Sequence, residues 1–313
     1  MAYVGILKQQ SSNNLKTLLL LILFPVLLLG LTWIFCVVAF WNSDPEGYYY
    51  VTSGDAFRSY APMVLIATAI WFLIAYAFNT AMISSATNSK PLERRENKRI
   101  YNLVENLCMA NGMTMPKVNV IEDRSLNAFA SGINNKSYTV TLSRGIIDKL
   151  DDAELEGVIA HELTHIRNRD VRLLIVSIIF VGIFTFIAQF AMRNFLYAPR
   201  RSSSKNDKSG AVILIIVAVL AAIGYFFSLL LRFAISRKRE YMADAGAAEM
   251  TKNPHALASA LRKISGDPKI ESVTREDIAQ MFIEHPLTKK GGFSELFATH
   301  PPIKKRIEIL EQF

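Results

Sequence analysis

The chain has 313 residues, 51% of them hydrophobic, with 15 Gly, 11 Pro, 2 Cys and a formal charge of +8. So much apolar content with so little Gly and Pro excludes disordered and collagen-like chains, and two cysteines cannot build a disulfide framework. The apolar residues are concentrated in four runs free of Asp, Glu, Lys and Arg: 18–40, 61–83, 173–192 and 211–231.

A helix needs about 20 apolar residues to cross roughly 30 Å of hydrocarbon, and each run reaches that length. The expected class is an α-helical membrane protein with four apolar spans plus an α+β catalytic domain built from the ordinarily charged remainder. Run 18–40 is not read as a cleaved signal peptide. Its apolar stretch is longer than a signal core, and Ala39-Phe40-Trp41 offers no small-residue cleavage site. Lys8 and Lys16 before the first run favour a cytoplasmic N-terminus. Asp44, Glu46 and Asp55 then lie outside, and Lys90, Arg94, Arg95, Lys98 and Arg99 bring the chain back to the cytoplasm. One loop opposes this pattern. If 173–192 and 211–231 both cross, Arg193, Arg200, Arg201, Lys205 and Lys208 of loop 193–210 fall on the wrong side for the positive-inside rule. Whether that second pair crosses fully is therefore open on sequence.

After the second run, residues 90–111 read as an amphipathic helix with Ile100, Leu103, Val104, Leu107 and Cys108 on one face, ended by Asn111-Gly112. Lys117–Glu122 and Tyr138–Leu142 read as short strands, with Asn134-Asn135 supplying a turn in the segment 132–136. Asp151 or Asp152 caps a helix over about 152–169, with Glu154 and Glu156 in its positive first turn. The fourth run continues as a long helix through 232–250, followed by helices over 254–265, 275–284 and 301–312. No internal repeat, phosphate-binding glycine loop or nucleic-acid motif is found. Four parts are expected: a hairpin over 1–83, a catalytic part over 84–172, a second hairpin over 173–231, and a C-terminal catalytic part over 232–313.

The chemistry is concentrated in His161-Glu162-Leu163-Thr164-His165. Residues four apart on a helix share a face, so both imidazoles can grip one ion while Glu162 reaches a water beside it. Two neutral imidazoles on zinc with a carboxylate general base is the metallopeptidase arrangement. The apolar residues around the motif bury the helix and make ligand charges costly unless a metal compensates.

A catalytic zinc usually takes a third protein ligand. The subclass that uses a histidine six residues past His165 is excluded, because Val171 stands there and Asn168 replaces its glycine. Glu240 and Asp244 offer two carboxylates at four-residue spacing instead. Glu240 is the expected third ligand, and Asp244 the acceptor that fixes a histidine tautomer. Taken alone, the pair could equally be a solvated acidic face balancing Arg237, Lys238 and Arg239. One zinc ion per chain is expected.

These residues resemble the HtpX-type membrane zinc endopeptidases, relatives of the CAAX prenyl endopeptidases. The resemblance runs nearly the whole chain. It rests on His161–His165 followed by Asp170, on Arg239-Glu240-Tyr241-x-Ala243-Asp244, on Asn127-Ala128-Phe129-Ala130-x-Gly132, and on His300-Pro301-Pro302 with Arg306. It implies a zincin-like fold, with quality control of misfolded or misassembled membrane proteins at the bacterial inner membrane and the active site facing the cytoplasm. It implies that Asn127 helps hold an extended substrate on an edge strand. It also implies His300 as a catalytic oxyanion donor, with Arg306 nearby as an orienting or stabilising group at the substrate. Read without the resemblance, Asn127 is a turn residue and His300 a helix-start residue. The partners expected are polypeptides and the lipid bilayer, with no nucleic acid. The alternatives are a processing protease for one dedicated substrate, or a non-catalytic scaffold that retains a zinc site. Glu162 speaks against the scaffold, since metal binding alone needs no base. A transporter is disfavoured because the apolar runs hold no ionisable residue.

Overall fold

The structure, a computed structural model, describes residues 6–40, 52–197, 217–219, 221–226, 237–265 and 301–313. The chain divides into two compact units. The first gathers Met1–Thr17, Phe78–Val176 and Arg232–Phe313; the second gathers Leu18–Ala77 and Ser177–Leu231. Residues 6–17 thus fall in the same unit as Phe78–Val176.

The described residues of the second unit are mostly helical. Helices α1 (Ile6–Ala39) and α2 (Ser53–Thr87) are each long and apolar enough to cross a membrane. Both are apolar nearly all round, the pattern of a helix whose solvent is not water. In α1, Leu20, Phe24, Leu28 and Leu31 form the buried stripe, while Leu18, Ile22 and Val26 are about half exposed. The stripe meets α6 (Asp170–Tyr197), where the rings of Phe24 and Phe180 stack with centroids 4.0 Å apart. Trp71 of α2 donates its indole N–H to the Ile179 carbonyl at 3.4 Å, so its one polar group is not left bare. The run 173–192 lies within α6, and of run 211–231 residues 217–219 and 221–226 are helical. The loop residues 198–210 and the helix expected over 275–284 lie outside the described residues.

The first unit holds a four-stranded sheet: β1 (Lys90–Pro91), β2 (Lys117–Ile121), β3 (Ala128–Ser131) and β4 (Thr139–Ser143), in the order β1-β2-β4-β3. The helix expected from residue 90 starts later. Pro91 keeps Lys90 extended, the two residues pair antiparallel with β2, and α3 (Lys98–Ala110) begins at its Asn97 cap. Strand β3 is the element the hydrophobic pattern missed. It is four small or aromatic residues, all buried, with no polar alternation to mark it. The turn predicted around Asn134 joins β3 to β4, and Asn134 Oδ1 accepts from the amides of Lys136 and Ser137. Gly132 opens that turn at φ +109°, where a Cβ would strike the Ser137 carbonyl. Chain order therefore runs from β2 past the position of β4 to the edge, and returns so that β2 and β4 pair in parallel.

Helix α4 (Arg144–Lys149) follows, then α5 (Asp152–Arg167). Asp151 and Glu154 form a reciprocal capping box at the start of α5. Glu154 also accepts from Ser259 at 2.7 Å and Lys263 at 2.6 Å on α8 (Pro254–Ile264), tying the two helices together. Leu155, Val158, Ile159, Ala160 and Leu163 are fully buried. Helix α5 packs against α3, β3, α7 (Arg237–Thr251) and α8, and α9 (Ile303–Leu310) closes over α7 and α8. It is the central helix of its unit.

Candidate active site and metal centre

Helix α5 carries His161, Glu162 and His165 in its buried second half, as the four-residue spacing requires. Helix α7 carries Glu240 and Asp244 one turn apart, both buried. The two helices approach closely because Gly246 has no side chain: a Cβ there would overlap the Thr164 side chain. Thr164 has no room to yield, being fully buried with its hydroxyl on the Ala160 carbonyl at 2.8 Å. Gly246→Ala is therefore expected to cost about 1–3 kcal/mol of unfolding free energy, as overpacking does, and to weaken metal binding by displacing Glu240. Denaturant unfolding of the metal-free variant measures the first effect, and an unchanged midpoint would refute the close-packing account.

The imidazole Nε2 atoms of His161 and His165 face each other at 3.2 Å. Glu240 places Oε2 3.6 Å from His161 Nε2 and Oε1 3.6 Å from His165 Nε2. One donor atom from each of the three lies within 4.8 Å of the others. Four ligands at about 2.0–2.1 Å from zinc would sit roughly 3.3–3.4 Å apart along a tetrahedral edge. The 3.2 Å between the two imidazole nitrogens matches that edge within a few tenths of an ångström, and each Glu240 oxygen lies 3.6 Å from a different one of them.

The outer nitrogens explain the orientation. His161 Nδ1 lies 3.0 Å from Asp244 Oδ1, and His165 Nδ1 lies 3.1 Å from Asp170 Oδ2. A carboxylate beside each Nδ1 favours the ring proton there, the tautomer that would leave both Nε2 lone pairs for one ion. Two lone pairs and a carboxylate converging in a buried space repel one another unless a cation sits among them. The donor set fits zinc. Burial favours the neutral form of His161, but Asp244 and Glu240 outweigh it and lift its pKa to about 9.

Arg306 is buried beside Asp244 and Glu240. Its Nε donates to Asp244 Oδ2 at 2.9 Å and its Nη2 to Asp244 Oδ1 at 2.7 Å, a two-pronged pairing. Its Nη1 lies 3.7 Å from Glu240 Oε2. Burial alone would raise the Asp244 pKa, but the guanidinium overrides this and holds it down at about 2. The carboxylate 3.0 Å from His161 Nδ1 is thus kept ionised. Arg306 touches Asp244 and Glu240 in this arrangement, and its 1% exposure encloses it in protein.

Glu162 is 2% exposed, and burial pushes its carboxyl upward from the ordinary range while the two histidines oppose that. The Ala130 amide of β3 donates to it. The edge strand therefore borders the carboxylate expected to act as base. Asn127 immediately precedes β3. Its Oδ1 accepts from the Ala128 amide at 3.0 Å and its backbone is paired with Ser143, so it is enclosed at the strand's start. His300 lies outside the described residues.

Sequence reasoning missed the part played by Asp170. It stands five residues past His165, off the helical face, and reaches back only because the chain breaks at Arg169. That residue sits at φ +62°, a left-handed conformation that costs a non-glycine residue about 1–2 kcal/mol. The acidic residue was visible, and the turn that returns it was not.

A central helix bearing two histidines and a buried glutamate, with a second glutamate converging from a neighbouring helix, is the arrangement expected of a metalloprotease. The sequence pattern of Peptidase family M48 matches residues 94–313, and the chain belongs to that family. It is 60% identical over 322 residues to a protease HtpX homolog of Bacteroides fragilis strain YCH46, covering 100% of both chains. It is 41% identical over 250 residues to the protease HtpX homolog of Dictyoglomus thermophilum, covering 79% of this chain and 80% of that one. A crystal structure of S. mikatae Ste24p is similar over 97% of this chain, with a TM-score of 0.47 and 19% identity. The chain spans 66% of that protein's length.

Proposed function

We propose that this metalloprotease is a multi-pass zinc endopeptidase of the bacterial inner membrane, with its catalytic unit facing the cytoplasm. Its proposed substrates are misfolded or misassembled membrane proteins. The observation that carries the reading is the convergence of His161, His165 and Glu240 beside a buried Glu162. Support for the membrane setting comes from α1 and α2 and from the lysines and arginines flanking them.

His161, His165 and Glu240 would hold one zinc ion per chain. Bound zinc lowers the pKa of water towards about 7 and polarises a peptide carbonyl. Glu162 takes the proton from the attacking water and passes it to the leaving amine. Asp170 and Asp244 keep the histidine protons on Nδ1, and Arg306 keeps Asp244 charged. The edge of β3 offers backbone groups along which an extended polypeptide can align, with Asn127 shaping the strand's start. His300 is assigned as the donor to the developing oxyanion.

Purified full-length protein in detergent is expected to digest casein, to lose that activity after chelation, and to regain it on adding zinc. Digestion that survives complete metal removal would overturn the zinc reading. A Glu162→Gln chain used as a trap in native membranes should retain integral membrane proteins; retention of soluble proteins alone would overturn the substrate class.

A further inference from the structure

The first turns of α1 lie in the same compact unit as the metal centre. They carry a polar stripe that a membrane anchor does not need: Gln9, Asn13 and Thr17 are buried at four-residue spacing. Asn13 is 0% exposed. Its Nδ2 donates to the Asn168 carbonyl at 2.8 Å and to Asp170 Oδ1 at 2.6 Å. Both partners are pure acceptors, so the amide can face them only with its nitrogen. Its Oδ1 is buried with no hydrogen-bond partner. Asn13 thus leaves its own acceptor unsatisfied to make two donations at the end of α5. Gln10, one turn earlier, donates to the Arg167 carbonyl at 2.7 Å.

The Asp170 carboxylate is therefore shared, with Oδ1 held by Asn13 and Oδ2 facing His165 Nδ1 at 3.1 Å. A carboxylate held at one oxygen cannot swing about its bond to the chain. Its second oxygen then stays where the imidazole needs it, and the His165 lone pair stays aimed at the metal position. Resting on the zinc-site reading above, we infer that Asn13 is a positioning residue of the metal centre, acting through Asp170 on His165. The N-terminal helix then supplies a part of the active site as well as an anchor. A purely structural reading exists: Asn13 and Gln10 could serve only to satisfy the last carbonyls of α5. The two readings differ in what happens to metal affinity in a folded chain.

The test uses full-length protein in detergent. Asn13→Leu keeps the side chain's shape and removes its donors, and Asn13→Ala serves as the second variant. Zinc affinity is measured by competition with a chromophoric chelator, the cobalt-substituted absorption spectrum reports ligand geometry, and unfolding of the metal-free protein reports stability. Zinc affinity is expected to fall about 10–100-fold, the usual cost of losing a group that orients a ligand, with a shifted cobalt spectrum. In an Asp170→Ala background, the same Asn13 substitution should cost little further affinity, because its route to the metal is already gone. A folded Asn13→Leu or Asn13→Ala chain with unchanged affinity and spectrum overturns the inference. Equal, additive losses in the two backgrounds also overturn it. A wild-type chain that takes up no zinc or cobalt overturns the zinc reading together with it.

Discussion

Glu162→Gln is expected to bind zinc as tightly as the wild type and to digest casein about 10²–10⁴-fold more slowly, the usual contribution of a positioned acid–base group. The substitution conserves shape in a space with no slack, since Glu162 is 2% exposed on a helix whose neighbours are fully buried. A Gln carbonyl can still accept the Ala130 amide that Glu162 accepts, so the edge of β3 should not move. What disappears is the ability to take a proton from water and give it to the amine. Metal content and proteolysis are thereby separated. Both are measured on one purified sample, by elemental analysis and by casein digestion. Wild-type digestion by the variant would remove Glu162 from the base role.

The second large effect is expected at Glu240. Loss of a ligand should weaken zinc binding by more than the roughly 10–100-fold that follows loss of an orienting partner. Glu240→Ala removes the only carboxylate among the three converging residues and leaves two imidazoles to hold the ion. It also removes the negative charge 3.7 Å from Arg306 Nη1, so less negative charge would stand between the guanidinium and a bound cation. Glu240→Gln preserves shape and guards against a folding defect; it offers a neutral oxygen and should bind zinc at an intermediate strength. Equilibrium competition for zinc decides the matter. Stoichiometric, wild-type affinity in both variants would reject Glu240 as a ligand.

Asp244 and Arg306 show why the centre tolerates so many buried charges. An isolated buried carboxylate would protonate or disrupt the fold. Here Asp244 meets the Arg306 guanidinium in a two-pronged pair and lies 3.0 Å from His161 Nδ1. Such pairs add little to stability for their desolvation cost. Their proposed value lies in holding the direction of the imidazoles.

Much of the site can be read along the chain because it is written in short-range spacing. His161 and His165, and Glu240 and Asp244, are pairs four apart, and the α-helix converts that interval into a shared face whatever the rest of the fold does. The Asp151–Glu154 capping box is equally local. The two long apolar helices follow from run length alone. Other features depended on contacts between distant residues. Strand β3 has no alternating pattern because both its faces are buried. The helix expected from residue 90 yields its first residues to a strand because β2 is there to pair with them.

The sequence by itself determined which side chains could bind a metal and which carboxylate could serve as base, since helical periodicity needs no tertiary information. Only the tertiary structure decided how those groups are aimed. The pairing of Asp170 with His165 needs a left-handed residue at Arg169. Arg306 reaches Asp244 across 62 positions, and Asn13 reaches Asp170 across 157. Hydrogen bonds at such separations leave no periodic trace in the sequence, because packing of whole helices, rather than local geometry, brings their ends together.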